Sequence, residues 1–509
     1  MIMKQTLFFL FLSIQLFAQK TNSLPRSTPE AEGVSSEAIT QFLDIASKSQ
    51  HEFHSFMLVR HGKVIAESWW NPYKNDLKHT MYSCSKSFTA TAVGFAVAEK
   101  KLTVDDKVIS FFPNDLPDTI SPNLAELRVK DLLSMSVGQA KDATGPVVVT
   151  DDWVKAFFKQ PIAYLPGTKF LYNSAATYML SAIVQKVIGE KVIDYLKPRL
   201  FNPLGIEGID WEVSPQGINT GGWGLRLKTE DMAKFGQLFL QKGMWNGQQV
   251  LPAAWVEEAS TIKIMQNPDA SQAQKDSSDW LQGYCYQMWR SRHNSFRGDG
   301  ANGQFILVLP DQDAVIITTA EAPDMQGEIN LIWQYIFPAL QASKLPDNPT
   351  ALANLQAKSA ALALPPPSKN VISPLESTIS GKNFSINNDK TLQNISFYFN
   401  TGICQLTIKT DSAKYQIPFG LGNWAMSETT KYGPYLVAAA KSNRTGLAAF
   451  KTAGSYTWKD EKTLELTLRY IESPHTETIN CIFEGDTVSV DFVSIFNKNQ
   501  KRTVLKGVK

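Results

Sequence analysis

The 509-residue chain reads as an α+β protein followed by a smaller β-rich unit. Three observations carry that reading. Strand-like segments lie near residue 60 and again near residue 310, with helical patterning between them, so one sheet is assembled from both ends of the first unit with a helical subdomain beside it. The run Pro365-Pro-Pro367 then ends an alanine-rich stretch and reads as a stiff linker. Beyond Asn370 short alternating segments follow one another, the pattern of a small barrel or sandwich. The expected divisions are a leader over 1–18, a main domain over 30–342, a linker over 343–369 and a β-rich accessory domain over 370–509.

Each element has its own signal. Ile39, Phe42, Leu43 and Ala46 share one face of a helix over 36–47. Residues 55–60 and 63–70 form two strands, and His61-Gly62 between them suits a tight hairpin. Short helices are expected over 129–135, 151–158 and 194–200, and longer ones over 174–188 and 229–241, the last stopping before Gly243. Strands return over 284–289, 303–309 and 314–319, and a helix over 329–340 closes the domain. Residues 351–364 read as helix, and strands are expected over 395–399, 403–408, 463–470, 478–483 and 487–492.

Composition narrows the function. A net charge of +2 without a long basic run gives no footprint for nucleic acid. Lys4 followed by an apolar run from Leu7 to Phe17, with Ala18-Gln19 as a cleavage point, reads as a secretory signal peptide and predicts a periplasmic or secreted protein. No later segment has the length and apolarity of a membrane span. Four cysteines are present, and Cys404 and Cys481, both in strand-like segments, either pair or remain buried thiols.

The chemistry starts from Ser83 and Lys86, which stand three residues apart at the head of a helical pattern. That spacing places both on one helix face, so the lysine nitrogen can reach the serine oxygen. The positive end of the helix dipole would favour negative charge at Ser83 and help keep Lys86 neutral. A neutral lysine can take the serine proton. The tetrapeptide alone is weak, because Ser260 and Lys263 repeat the spacing and Ser83 could simply cap a helix.

Two further groups strengthen it. Phe170-Leu-Tyr172-Asn-Ser174 sets a tyrosine and a small polar residue where a loop enters a helix. Gly298-Asp299-Gly300-Ala301-Asn302-Gly303-Gln304 reads as a glycine-rich turn feeding a strand, where substrate can approach the backbone and a free N–H can face an oxyanion. The histidines are scattered, and His51-Glu-Phe-His54 lacks metalloprotease spacing, so no metal or other cofactor is expected.

These elements, with Lys130-Asp-Leu-Leu-Ser-Met-Ser136, Pro166-Gly-Thr-Lys-Phe-Leu-Tyr172, Pro203-Leu-Gly-Ile206 and Gly221-Gly-Trp-Gly-Leu-Arg-Leu227, resemble the serine β-lactamase, penicillin-binding-protein and esterase superfamily over about residues 30–340. Tyr284-Cys-Tyr-Gln-Met-Trp289 and Gly300-Ala-Asn-Gly-Gln304 look most similar to its branch of 6-aminohexanoate-dimer hydrolases and esterases. The resemblance implies an antiparallel sheet flanked by helices and a serine hydrolase acting on a small amide, ester or peptide. It implies Ser83 as nucleophile, Lys86 as base or base partner, Tyr172 as proton shuttle, and the Ser83 and Ala301 amides as oxyanion donors.

Departures from the family pattern bear on substrate. Ser174 stands where the pattern has asparagine, and Gly298-Asp299-Gly300 replaces a cationic motif. Efficient penicillin hydrolysis is therefore not expected, and Asp299 is expected to favour neutral or cationic substrates, with Arg292 or Arg297 as compensating cations. Ser174, Asp299, Gly300 and Trp223 are the expected substrate-binding residues. The competing reading is a penicillin-binding or sensor-type module that holds cell-wall fragments with little turnover. Oligomeric state is not legible.

Overall fold

The computed structural model describes residues 23–368 and 373–509, so the predicted leader over 1–18 and the junction at 369–372 lie outside the described residues. The first domain begins with α1 (Ser36–Lys48), capped by the Ser35 side chain. It continues through β1 (Glu52–Arg60) and β2 (Lys63–Trp69). His61 and Gly62 both carry positive φ, the geometry a two-residue hairpin demands.

The helical insertion runs through α2 (Ser85–Ala98), α3 (Ser174–Ile188) and α4 (Thr229–Leu240) with shorter helices between them. Strands β3 (Trp289–Ser291), β4 (Ser295–Gly300), β5 (Gln304–Leu309) and β6 (Ala314–Glu321) then complete a six-stranded antiparallel sheet in the order β2-β1-β6-β5-β4-β3. Both faces of this sheet are covered. Phe56, Leu58, Phe305, Leu307 and Ile316 pack toward α1 and the closing helices. Met57, Val59, Ile306, Val308 and Ile317 pack toward α2 and α4. Two-sided burial explains why the central strands read as continuous apolar runs.

Two expectations for this region change. Residues 284–288 are not a strand. Gln287 has positive φ, and its side chain bonds the Leu132 and Leu133 carbonyls and accepts from Thr177, so the segment is a buried turn fastened to the helices. Gly298–Gly300 is strand rather than turn, pairing with β5 through Phe305↔Asp299 and Gln304↔Gly300. The turn itself is confined to Ala301–Gly303.

Residues 349–360 form α5 (Pro349–Ala360), which lies on α1 and β2. Lys358 pairs with Asp44, and the backbone bonds Asn71 to Leu362 and Leu364 to Asn71 extend the attachment. The segment expected as a linker is thus docked on the first domain as far as Leu364. The last part is a barrel rather than a sandwich. Its strands form one ten-stranded sheet, nine strands of which close into a ring where Gly420 and Leu421 pair with Ser455 and Tyr456, with strand Ala425–Thr429 added at the seam. Cys404 and Cys481 are free buried thiols within it, not a disulfide.

The barrel grips the first domain. Arg469 pairs with Glu52 at 2.5 Å, and fully buried Arg226 pairs with Asp210 and Glu472. Backbone bonds join Thr80 N–H to the Glu472 carbonyl at 3.0 Å and Val213 N–H to the Thr445 carbonyl at 2.8 Å. Among the described residues no helix is long and apolar enough to cross a membrane.

Candidate active site

Ser83 sits in a single tight turn, Tyr82–Cys84, that leads directly into α2. The turn is held from several sides. Met81 N–H donates to the Leu225 carbonyl at 2.9 Å, Ser85 Oγ donates to the Tyr82 carbonyl at 2.6 Å, and Cys84 Sγ contacts the Gln304 carbonyl at 3.0 Å. Cys84 is therefore a packing residue. Ser83 keeps partial exposure while its flanking residues are buried, so its hydroxyl is the group left open to a substrate.

Lys86 lies one turn along and is 1% exposed. Its nitrogen is 3.0 Å from Ser83 Oγ, 2.9 Å from Ser174 Oγ and 2.8 Å from the Gly222 carbonyl. Burial lowers its pKa to about 7, against the smaller opposing pull of Asp142 and Asp299. In the neutral form the amine donates to the Gly222 carbonyl and the Ser174 hydroxyl, and its lone pair receives the Ser83 proton. The pattern of partners therefore fits a base as well as an ammonium.

Tyr172 completes the group. Its hydroxyl faces Ser83 closely enough to bear on its proton, and its ring lies 4.9 Å from the Lys86 nitrogen. The ring is set edge-on to Tyr284 and tilted against Trp289, which fixes its direction. Burial, reinforced by Asp299, raises the Tyr172 phenol far above its ordinary range, so it keeps its proton at neutral pH. Of the two groups facing Ser83, Lys86 is the one poised to accept a proton.

Local sequence explains the placement of Tyr172 and Ser174. The Asn173 side chain caps α3 by accepting from Ala175 and Ala176 N–H, and it bonds Gln139. Ser174 N–H donates to Thr144 Oγ1, which in turn donates to the Asp142 carboxylate. Asparagine is thus present but one position early, serving as helix cap, while the Ser174 hydroxyl reaches Lys86.

The β4–β5 turn abuts the serine. A Cβ on Gly300 would stand 2.3 Å from the Met81 carbonyl oxygen, so only glycine allows the strand end to lie against this turn. Gly303 has φ +87°, and a Cβ there would meet the Glu328 carboxylate at 1.8 Å. These two glycines let the strands that flank Ala301 lie against the Tyr82–Cys84 turn.

Other expected residues behave differently. Asp299 is 8% exposed and its carboxylate is met by Arg297 at 2.8 Å, so the pair presents no net anion. Arg292 is engaged with Asp279 at 2.8 Å. Trp223 is 3% exposed and packs against Trp153, so its ring belongs to the core and not to an open wall. The Ser260 hydroxyl bonds its own helix at Val256, and Lys263 pairs with Glu258, which leaves that tetrapeptide inert. Sequence reasoning missed Gly222 and Asp142 as members of the site. Gly222 lay within a quoted motif, but nothing in the string says that its carbonyl faces a lysine. Among the described residues no cluster of His, Cys, Asp and Glu could hold a metal ion.

Fold and cluster together define a hydrolase-type protein. The chain belongs to the Beta-lactamase family, whose model matches residues 44–339, more than half of its length. It is 25% identical over 290 residues to the 6-aminohexanoate-dimer hydrolase of Paenarthrobacter ureafaciens, covering 53% of this chain and 73% of that protein. It is 24% identical over 241 residues to a candidate D-alanyl-D-alanine carboxypeptidase of Escherichia coli K12, covering 40% of this chain and 55% of that one. A solved candidate 6-aminohexanoate-dimer hydrolase from Bacillus anthracis superposes with TM-score 0.52 at 20% identity, over 64% of this chain and 89% of that one, and attests the fold.

Proposed function

We propose that the protein is an exported serine hydrolase that cleaves a small amide or ester through an acyl-enzyme on Ser83. The observation that carries the reading is Lys86, buried, shifted to about 7, and 3.0 Å from Ser83 Oγ. Ser83 Oγ attacks the substrate carbonyl carbon as its proton passes to the Lys86 amine. The oxyanion is received by the Ser83 and Ala301 amides, an arrangement worth about 2.7–4 kcal/mol per donor. Tyr172 relays the proton to the leaving amine or alkoxide. Water then attacks the ester bond to Ser83, Lys86 again takes the proton, and the acid departs.

Charge supports a substrate class. The exposed carboxylate near the cluster is Asp142, tied to Thr144 beside Ser174, and Asp299 is neutralised by Arg297. A neutral or amino-terminated acyl substrate suits that field better than an anionic lactam. The hydrolase names among its relatives agree with an amide or ester bond as target. The apolar leader over Leu7–Phe17 supports export, which amino-terminal sequencing of the mature protein tests.

The reading is tested with a chromogenic short-chain ester and a linear amide. Wild-type protein should turn over at least one of them and Ser83→Ala neither. Full turnover by Ser83→Ala would remove the assignment.

A further inference from the structure

The barrel reaches the back of the nucleophile turn. Tyr82, the residue before Ser83, has φ +44°, a conformation that a bulky side chain adopts only when its surroundings hold it there. What holds it comes largely from the barrel. The Tyr82 hydroxyl is 2.5 Å from His475 Nε2, and the Leu436 N–H donates to the same oxygen at 3.3 Å. The Tyr82 ring stacks on Tyr435 at 5.5 Å. His475 Nδ1 is in turn 2.6 Å from the Glu321 carboxyl at the end of β6. Glu472, on the same hairpin as His475, accepts from both the N–H and the hydroxyl of Thr80.

We infer that Glu321, His475 and Tyr82 form an inter-domain relay of hydrogen bonds that positions Ser83 for attack, which makes the accessory barrel a working part of the catalytic site. The inference rests on Ser83 being the nucleophile. None of the three side chains touches substrate, so all three are positioning residues. Ser83 and the Ala301 amide must converge on one carbonyl, and a rotation of the Tyr82 turn would move Ser83 Oγ away from Lys86 while leaving the substrate pocket intact. Burial drives Glu321 up and His475 down, so both are neutral near pH 7. The Glu321 carboxyl thus bonds Nδ1 and the Tyr82 hydroxyl bonds Nε2, a continuous chain from β6 to the nucleophile turn. Glu52, His54, His79 and Arg469 surround the relay, with Glu52 satisfied by Arg469 and His54, and His79 by His54 and the Thr80 carbonyl.

The test uses the full-length protein and a chromogenic short-chain ester, with Tyr82→Phe, His475→Ala, His475→Gln and Ser83→Ala compared with wild type. Tyr82→Phe keeps the ring and removes only the hydroxyl. It should lower kcat about 10- to 100-fold, the scale of a small misplacement of reacting groups, with KM within about twofold. His475→Ala should match it, and His475→Gln, whose amide can still donate to Tyr82, should recover most of the loss. Thermal midpoints establish that the variants are folded, and Tyr82→Phe carries the test if His475→Ala does not fold. Wild-type kcat in Tyr82→Phe, or equal loss in His475→Gln and His475→Ala, overturns the relay. Activity in Ser83→Ala would instead overturn the assignment of the nucleophile.

Discussion

The Gly222 carbonyl oxygen stands 2.8 Å from the Lys86 nitrogen, and a Cβ on Gly222 would come within 3.3 Å of that same nitrogen. The backbone approaches the lysine this closely because no side chain intervenes. The consequence is a buried position in which the ammonium loses hydration and the amine still finds partners.

Activity should therefore follow the neutral form of Lys86. Its pKa is about 7 in the fold against 10.5 ordinarily, so kcat/KM should rise about tenfold per pH unit below 7 and level off above it. Between about 7 and 10.5 the unfolded chain holds a proton that the folded chain has released, so Lys86 contributes a stability that increases with pH across that window. Lys86→Met should remove that slope and lower kcat/KM by about 10²–10⁴-fold. Rate profiles and denaturant unfolding at several pH values check both.

Ser174 holds the lysine from the other side at 2.9 Å. Ser174→Ala removes one acceptor without changing charge. The expected result is a loss of about tenfold in kcat, with the acid limb moved to lower pH because the ammonium loses a hydrogen bond. An unchanged limb would show that the serine hydroxyl does not touch the working lysine.

Gly303 should be intolerant of substitution. Gly303→Ala places a methyl group on the Glu328 carboxylate and keeps a positive φ, at a cost of about 1–3 kcal/mol for the backbone alone. Because this turn carries Ala301, ester turnover should fall more steeply than stability does. Parallel measurement of kcat and the unfolding midpoint separates the two effects.

The four cysteines are buried and free. A thiol reagent should titrate about none of them in the native protein and all four once it is unfolded without reductant. Two unreactive thiols after unfolding would indicate the Cys404–Cys481 disulfide that the structure lacks.

The architecture was legible wherever burial imposes a period. The β1–β2 hairpin, the helix over 174–188 and the strands 463–470 and 487–492 match their observed elements within a few residues, because each must hide one or both faces. The failures have a different origin. Residues 284–288 are apolar and aromatic, yet they turn because Gln287 fastens them to Leu132 and Leu133. Local propensity carries no information about such distant partners. The same holds in the site. Ser83, Lys86 and Tyr172 are adjacent in the fold, as their motifs suggested, but the Arg297 that neutralises Asp299 and the His475 behind Tyr82 are set by tertiary contacts alone.

Breaking the Arg226 pairs should loosen the barrel from the first domain. Arg226→Ala leaves buried Glu472 without its cation and Asp210 with Lys78 alone, and should cost about 3–5 kcal/mol. Limited proteolysis across 365–375 should then cut faster than in wild type.

The central claim is that Ser83 becomes covalently acylated. Intact-mass analysis of wild type and Ser83→Ala, quenched in acid within seconds of mixing with an activated ester, tests it most directly. The account predicts a mass gain of one acyl group on wild type, mapped by peptide fragmentation to the peptide containing Ser83, and none on Ser83→Ala. An acyl adduct of equal yield on both proteins, or one mapped to another residue, would contradict it.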